Sequence, residues 1–163
     1  VSMQRCAIRL AGAAVAVALV AGLATGCGIR IPSDPEGTID RVTGGDLRVG
    51  ASADPGRVTV TGDEVSGPLP ELVEDFAASL DAEVVWTVAG EETLVTALEQ
   101  GEIDLAVGGM TDQTPWSDRA AVTRSFPDLP GVEGDHPVVF LAPLGENRFV
   151  SALETFLDEQ VGG

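Results

Sequence analysis

The chain has 163 residues, enough for one domain of ordinary size, and carries nine arginines, no lysine and 26 acidic residues, for a net charge of −17. That balance excludes the cationic footprint that nucleic acid requires and argues against electrostatic adhesion to anionic lipid. Two tryptophans, five phenylalanines and no tyrosine leave few rings for stacking on a sugar or a nucleobase.

Residues 1–26 read as a targeting segment outside the fold. Met3 suits a start, Arg5 and Arg9 form a positive region, and an uninterrupted run of Ala, Val, Leu and Gly follows. Leu23-Ala24-Thr25-Gly26 then leads small residues into Cys27. This resembles the bacterial lipobox, whose cysteine thiol takes a diacylglycerol and becomes the new N-terminus; Ala24 stands where leucine is commoner. A plain secretory peptide would leave Cys27 as an unpaired exported thiol, since Cys6 departs with the peptide. An uncleaved helix would have only the short run 10–26 to span with. The lipoprotein reading alone gives the lone cysteine a purpose, and it implies a stable lipid anchor on the extracytoplasmic side of the cell membrane. Cleavage before Cys27 removes two arginines and no acid, which leaves a charge of −19 and no possible disulfide. The exported domain must then be held by its core alone.

Residues 27–45 hold Pro32, Pro35 and scattered Gly, Asp and Thr without apolar periodicity, and read as the lipidated cysteine and a flexible tether. The domain proper is expected over 46–163. Residues 47–51 predict a strand, Ala53-Asp54-Pro55-Gly56 a turn at its carboxyl end, and 58–61 one arm of a small hairpin. Leu69, Leu72, Val73, Phe76 and Leu80 fall on a single stripe, which predicts a helix over 68–80. A second strand follows over 83–88, with Trp86 packing in it, then a helix over 93–100. Gly101 sits where a left-handed residue ends a helix. Ile103, Leu105, Ala106 and Val107 form an apolar run without alternation, as in a parallel strand covered on both faces. Gly108 and Gly109 end it, at the carboxyl edge where open α/β sheets bind ligands. A strand over 137–142 and a helix over 145–161 complete the domain.

The stretch Leu98–Thr111, with Gly101-x-Ile103-Asp104-Leu105 its most specific piece, resembles the second-helix, third-strand signature of bacterial family 3 extracellular solute-binding proteins. These are the amino-acid-binding subunits of ABC importers. The resemblance continues in Leu-Arg-Val-Gly-Ala-Ser at 47–52, in 67–80 and in 138–163. It implies one three-layer lobe of a type II periplasmic-binding-protein-like α/β fold, with a mostly parallel sheet of four or five strands and an antiparallel returning strand. The family inserts a whole second lobe after the exit loop. Here nine residues, 127–135, stand in its place, so the second lobe is expected to be absent.

The resemblance also implies a solute site, and the chain departs from it. Where the family supplies aromatic side chains after the first strand, the residues are Ala53, Pro55, Gly56 and Arg57. Where the family reads Met-Thr-x-Thr-x-x-Arg, Met110-Thr111 matches, but Gln113 replaces the second threonine and Trp116 the arginine. Arg119, three residues on, is expected to reach the same shelf. Asp54, Thr111, Trp116 and Arg119 are therefore the candidate ligand-binding residues, although the same four suit capping and packing of the exit loop. No nucleophile elbow, phosphate loop or metal-ligand pattern occurs, and neither catalysis nor a cofactor or metal is expected. The function implied is a lipid-anchored protein presenting a small polar solute to a transporter permease. Two other readings stand beside it: an accessory module of a transport or sensing complex whose ligand site has degenerated, and a pair of copies that recreate a cleft.

Overall fold

A computed structural model describes residues 34–134 and 136–162. The lipobox and Cys27 lie outside the described residues. The elements are α1 (Thr38–Val42), β1 (Asp46–Ala51), β2 (Thr59–Thr61), β3 (Glu64–Ser66), α2 (Pro68–Ser79), β4 (Glu83–Val88), α3 (Glu91–Glu99), β5 (Leu105–Val107), β6 (Ala121–Val122), β7 (Leu141–Ala142) and α4 (Asn147–Val161). Five strands form one sheet in the order β4-β1-β5-β7-β6, and β2 pairs with β3 in a separate antiparallel hairpin. β1 runs parallel to β4 and β5, with Val49 opposite both Trp86 and Leu105. β7 returns antiparallel to β5 and β6. The expected mixed, mostly parallel sheet is therefore present.

Alternation along β1 and β5 splits the core into two layers, because successive side chains leave a strand on opposite faces. Leu47, Val49, Ala51, Leu105 and Val107 join Leu69, Leu72, Val73 and Phe76 of α2 and Phe149, Leu153 and Leu157 of α4 on one face. Phe76 meets Phe149 edge-on at 5.9 Å between ring centroids. On the other face Ala106 joins Leu94, Val95 and Leu98 of α3, with Ile103, Met110 and Val139. Gly50 makes that second layer possible: a Cβ there would lie 2.5 Å from Leu94 Cδ2 and 2.7 Å from Ile103 Cδ1. The result is helix, sheet and helix, with no second lobe inserted between β6 and β7.

Two expectations are corrected. The tether was expected to run to residue 45, but residues 38–42 form α1, in which Thr38 and Val42 are buried, Val42 completely. A five-residue helix has too little sequence to show a period, and its stability comes from docking on β1 and α4. Residues 111–126 were read as an exit loop with no element assigned, but Ala121–Val122 within them adds an edge strand to β7. Two residues cannot show alternation either. Among the described residues no helix is long and apolar enough to cross a membrane.

Candidate functional site

The two ends of the sheet differ in chemistry. At the carboxyl edge, β1 and β5 run out side by side, with the Ser52 N–H donating to the Val107 carbonyl at 3.0 Å. Gly108 follows at φ +135°, and a Cβ there would fall 2.1 Å from Ser52 Oγ and 2.4 Å from the Ser52 carbonyl oxygen. Only glycine lets the two backbones approach so closely. Among the described residues the buried Ser52 hydroxyl has no hydrogen-bond partner.

Around this edge stand Asp54, Glu91 and Thr111. Asp54 closes the turn after β1, exchanging backbone bonds with Val58 at 3.0 and 2.8 Å. Its carboxylate lies 3.5 Å from Arg57 Nη1. Thr111 bridges Val138 through the backbone, and its Oγ1 accepts the Gln113 N–H at 3.4 Å. Glu91 begins α3, whose first turn favours an acid because the helix dipole is positive there. Its carboxylate lies over Gly109, where a Cβ would come within 2.9 Å of Oε1, and it accepts the Trp116 indole N–H at 3.3 Å. The Trp116 ring is half-buried against the α3 layer.

Arg119 is elsewhere, and this is a correction to its expected place on the shelf. α3 runs from the carboxyl edge back toward the amino edge. Arg119 is tied to its far end, donating from Nε and Nη2 to Glu99 at 2.9 and 2.5 Å and from Nη2 to Thr96 Oγ1 at 3.2 Å. Donating to Glu99 raises the guanidinium above its ordinary value, and the same bonds hold the Glu99 carboxyl below its own. Arg119 stacks 5.6 Å from the Trp116 ring but faces a different opening. That opening is a cleft of about 770 Å³ at the amino edge, lined among others by Arg41, Arg48, Glu99, Asp104 and Arg119.

Asp104 is the anchor of that edge. It is 1 % exposed and accepts from Arg41 Nη1 and Nη2 at 3.2 and 2.5 Å, and from Arg48 Nε, Nη2 and N–H at 3.0, 2.5 and 3.0 Å. Burial pushes its carboxyl upward, but the bonds from Arg48 and Arg41 outweigh that, and the net shift is below the ordinary value. Arg48 also donates to the Gly101 carbonyl at 2.7 Å, on the glycine whose φ is +67°. The motif Gly101-x-Ile103-Asp104-Leu105 is thus a joint between α3, β5 and α1.

A further residue, Arg57, is buried to 8 % exposure. Its Nε donates to the Glu133 carbonyl at 2.8 Å and its Nη2 to the His136 carbonyl at 3.1 Å, and it packs on Gly134. Arg57 therefore pins the short connection that stands where a second lobe would begin. An arginine in a turn reads as solvated, so the sequence carries little sign of this; a glycine beside Glu133 is the only hint. Each of the six described arginines has a carboxylate partner. Among the described residues no group of three potential ligands could hold a metal ion.

No protein-family profile matches the sequence, and no curated protein matches it. Solved structures do. A single-substitution variant of the arginine-bound form of domain 1 from TmArgBP is similar to the chain with a TM-score of 0.64 at 22% identity, covering 74% of this chain and 96% of that one. The ancestral amino acid-binding protein AncCDT-1, described as a precursor of cyclohexadienyl dehydratase, gives 0.62 at 14% identity over 75% and 92%. Tv2483 bound to L-arginine gives 0.61 at 10% over 77% and 88%. At these identities the likeness establishes the fold, which is that of domain 1 of a solute-binding protein.

Proposed function

We propose that the chain is a membrane-anchored, extracytoplasmic solute-binding lobe of the family 3 type, held by acylated Cys27 and presenting a small polar solute of the amino-acid class to a transporter permease. It works without catalysis and without a cofactor. The observation that carries this reading is the match of one lobe, nearly end to end, to a domain 1 described as arginine-bound. In that protein one lobe holds the solute, so a second lobe is not a precondition for binding. The site is the carboxyl edge, with Asp54, Glu91, Thr111 and Trp116 around the Gly108–Gly109 backbone. Because every described arginine is already paired, the edge offers carboxylates and backbone N–H groups, and the charge of −17 favours a solute bearing a cationic group. An open shelf leaves that solute half-solvated, so binding is weaker by several kcal/mol than in a closed cleft.

Isothermal calorimetry on the full chain in detergent micelles tests this. Saturable heat with L-arginine below about 1 mM is the expected result, and no heat with any amino acid at about 10 mM contradicts it. Radiolabelled fatty acid should enter the protein and fail to enter Cys27→Ser. A second reading, a non-catalytic accessory module with a degenerate ligand site, is favoured by one observation: Arg119 is bound to Glu99 at the far end of α3. Crosslinking in membranes that captures a stoichiometric protein partner, together with silent calorimetry, would select it.

A further inference from the structure

The first described residues cross the N-terminus of the last helix and are tied to it by a cluster of charged groups that the solute site does not use. Pro35 packs on Gly145, where a Cβ would meet Pro35 Cγ at 3.2 Å. Glu146 is completely buried and accepts the N–H groups of Glu36 at 2.8 Å and Thr38 at 3.0 Å. It therefore caps α1 from another element, occupying the positive end of that helix. The Asp34 side chain, 3 % exposed, neighbours Glu146 and lies 3.5 Å from Arg148 Nη1, and among the described residues neither of its carboxylate oxygens has a hydrogen-bond partner of normal geometry. Two buried carboxyl groups side by side can bond only through a proton. From the neck and α1, the other groups facing the pair are Glu36, Asp40, Arg41 and the Ile39 N–H. From α4 it is Arg148, whose Nη1 lies 3.5 Å from Asp34 and 3.1 Å from Asp40.

We propose that residues 34–38 are a pH-gated latch on the N-terminus of α4, closed by a proton shared between Asp34 and Glu146 and loosened when that proton leaves. The assignment of the proton follows from the surroundings. Against its burial, Glu146 is held ionised by the Asp34 carboxyl and then by the N–H groups of Glu36 and Thr38, and its carboxyl is shifted downward. Asp34 has burial and the neighbouring Glu146 against its ionised form and Arg148, Arg41 and the Ile39 N–H for it, and the balance pushes it up to about 6. Below that pH, Asp34 donates to Glu146 and the neck is seated. Above it, both groups are charged, and repulsion inside a buried pocket drives residues 34–37 away. The released segment adds roughly 3.3 Å per residue to the reach between Cys27 and the domain. That consequence rests on the lipid anchor proposed above; the latch itself does not.

Hydrogen exchange on the full chain in micelles, corrected for intrinsic rates, reads the latch directly. Protection of the amides of residues 36–42 should fall by at least about tenfold between pH 5 and pH 8, while β1 and β5 stay protected. In Asp34→Asn, whose amide donates at any pH, the fall should shrink to less than about twofold with protection kept at pH 8. Arg148→Gln should move the midpoint upward, because it removes the cation that favours the ionised form. Flat protection in the parent chain, or an unchanged pH profile in Asp34→Asn, overturns the proposal. Neither result depends on lipidation, which the fatty-acid label reports separately.

Discussion

The amino and carboxyl edges of the same sheet are built on opposite terms. At the amino edge two arginines close on one buried aspartate, and every polar group of Asp104 is satisfied. At the carboxyl edge Gly108 brings two backbones together and, among the described residues, the Ser52 hydroxyl is left without a partner, while Asp54 faces Arg57 and Glu91 takes the Trp116 indole. The motif that resembles the solute-binding family most specifically belongs to the first edge. The residues that depart from the family belong to the second. The contrast teaches that the resemblance reports how the lobe is joined, and that a ligand must be argued from the other end.

The largest effect is expected from breaking the amino edge. Asp104→Ala removes the acceptor of two guanidinium groups and of the Arg48 N–H and should cost about 3 kcal/mol in denaturant unfolding, because several charge-assisted bonds to one buried group are lost together. The same group gives a pH signature. Because the folded carboxyl titrates below its unfolded value of 3.8, its stabilisation is present above that pH and is lost as pH falls below it. Asp34 acts in the opposite sense: raised to about 6, it stabilises fully below 3.8 and progressively less as pH climbs through 6. Thermal scans from pH 3 to pH 8 should therefore show losses at both ends, and Asp34→Asn should flatten the upper one alone.

Gly108→Ala strikes the carboxyl edge. A side chain at φ +135°, facing Ser52, should cost about 1–3 kcal/mol from backbone strain alone, with the clash in addition. Amide shifts at Ser52 and Gly109 should move with it. Arg57→Ala should cost about 1.5–3 kcal/mol through two lost charge-assisted bonds, and exchange protection should drop around residues 133–138.

Much of the lobe was legible before any coordinates. The stripe of Leu69, Leu72, Val73, Phe76 and Leu80 is long enough to show a period, and the helix duly runs over Pro68–Ser79. The strand Glu83–Val88 has its expected bounds, and β7 returns antiparallel to β5 as the family pattern implied. The short elements α1 and β6 escaped because periodicity needs length and neither carries an uninterrupted apolar run like that of β5. The site was less legible. Spacing along the chain put Arg119 one turn past Trp116, yet the loop carries it to Glu99, and only the packing of α3 decides that direction. Glu91 went unnoticed because an acid in a first helical turn already has a sufficient reason to be there.

Arg119→Ala should have the smallest effect, since its guanidinium is half-exposed and serves Glu99. Solute affinity should change by less than about threefold, whereas Glu91→Gln should weaken a cationic solute by about tenfold or more. Amide-shift mapping of the full chain titrated with L-arginine sets the two edges against each other most directly. The account predicts perturbations at Ser52, Asp54, Gly108, Gly109, Thr111 and the first turn of α3. Perturbations confined to Arg41, Arg48, Asp104 and Arg119 at the amino edge, or none at saturating solute, would contradict it.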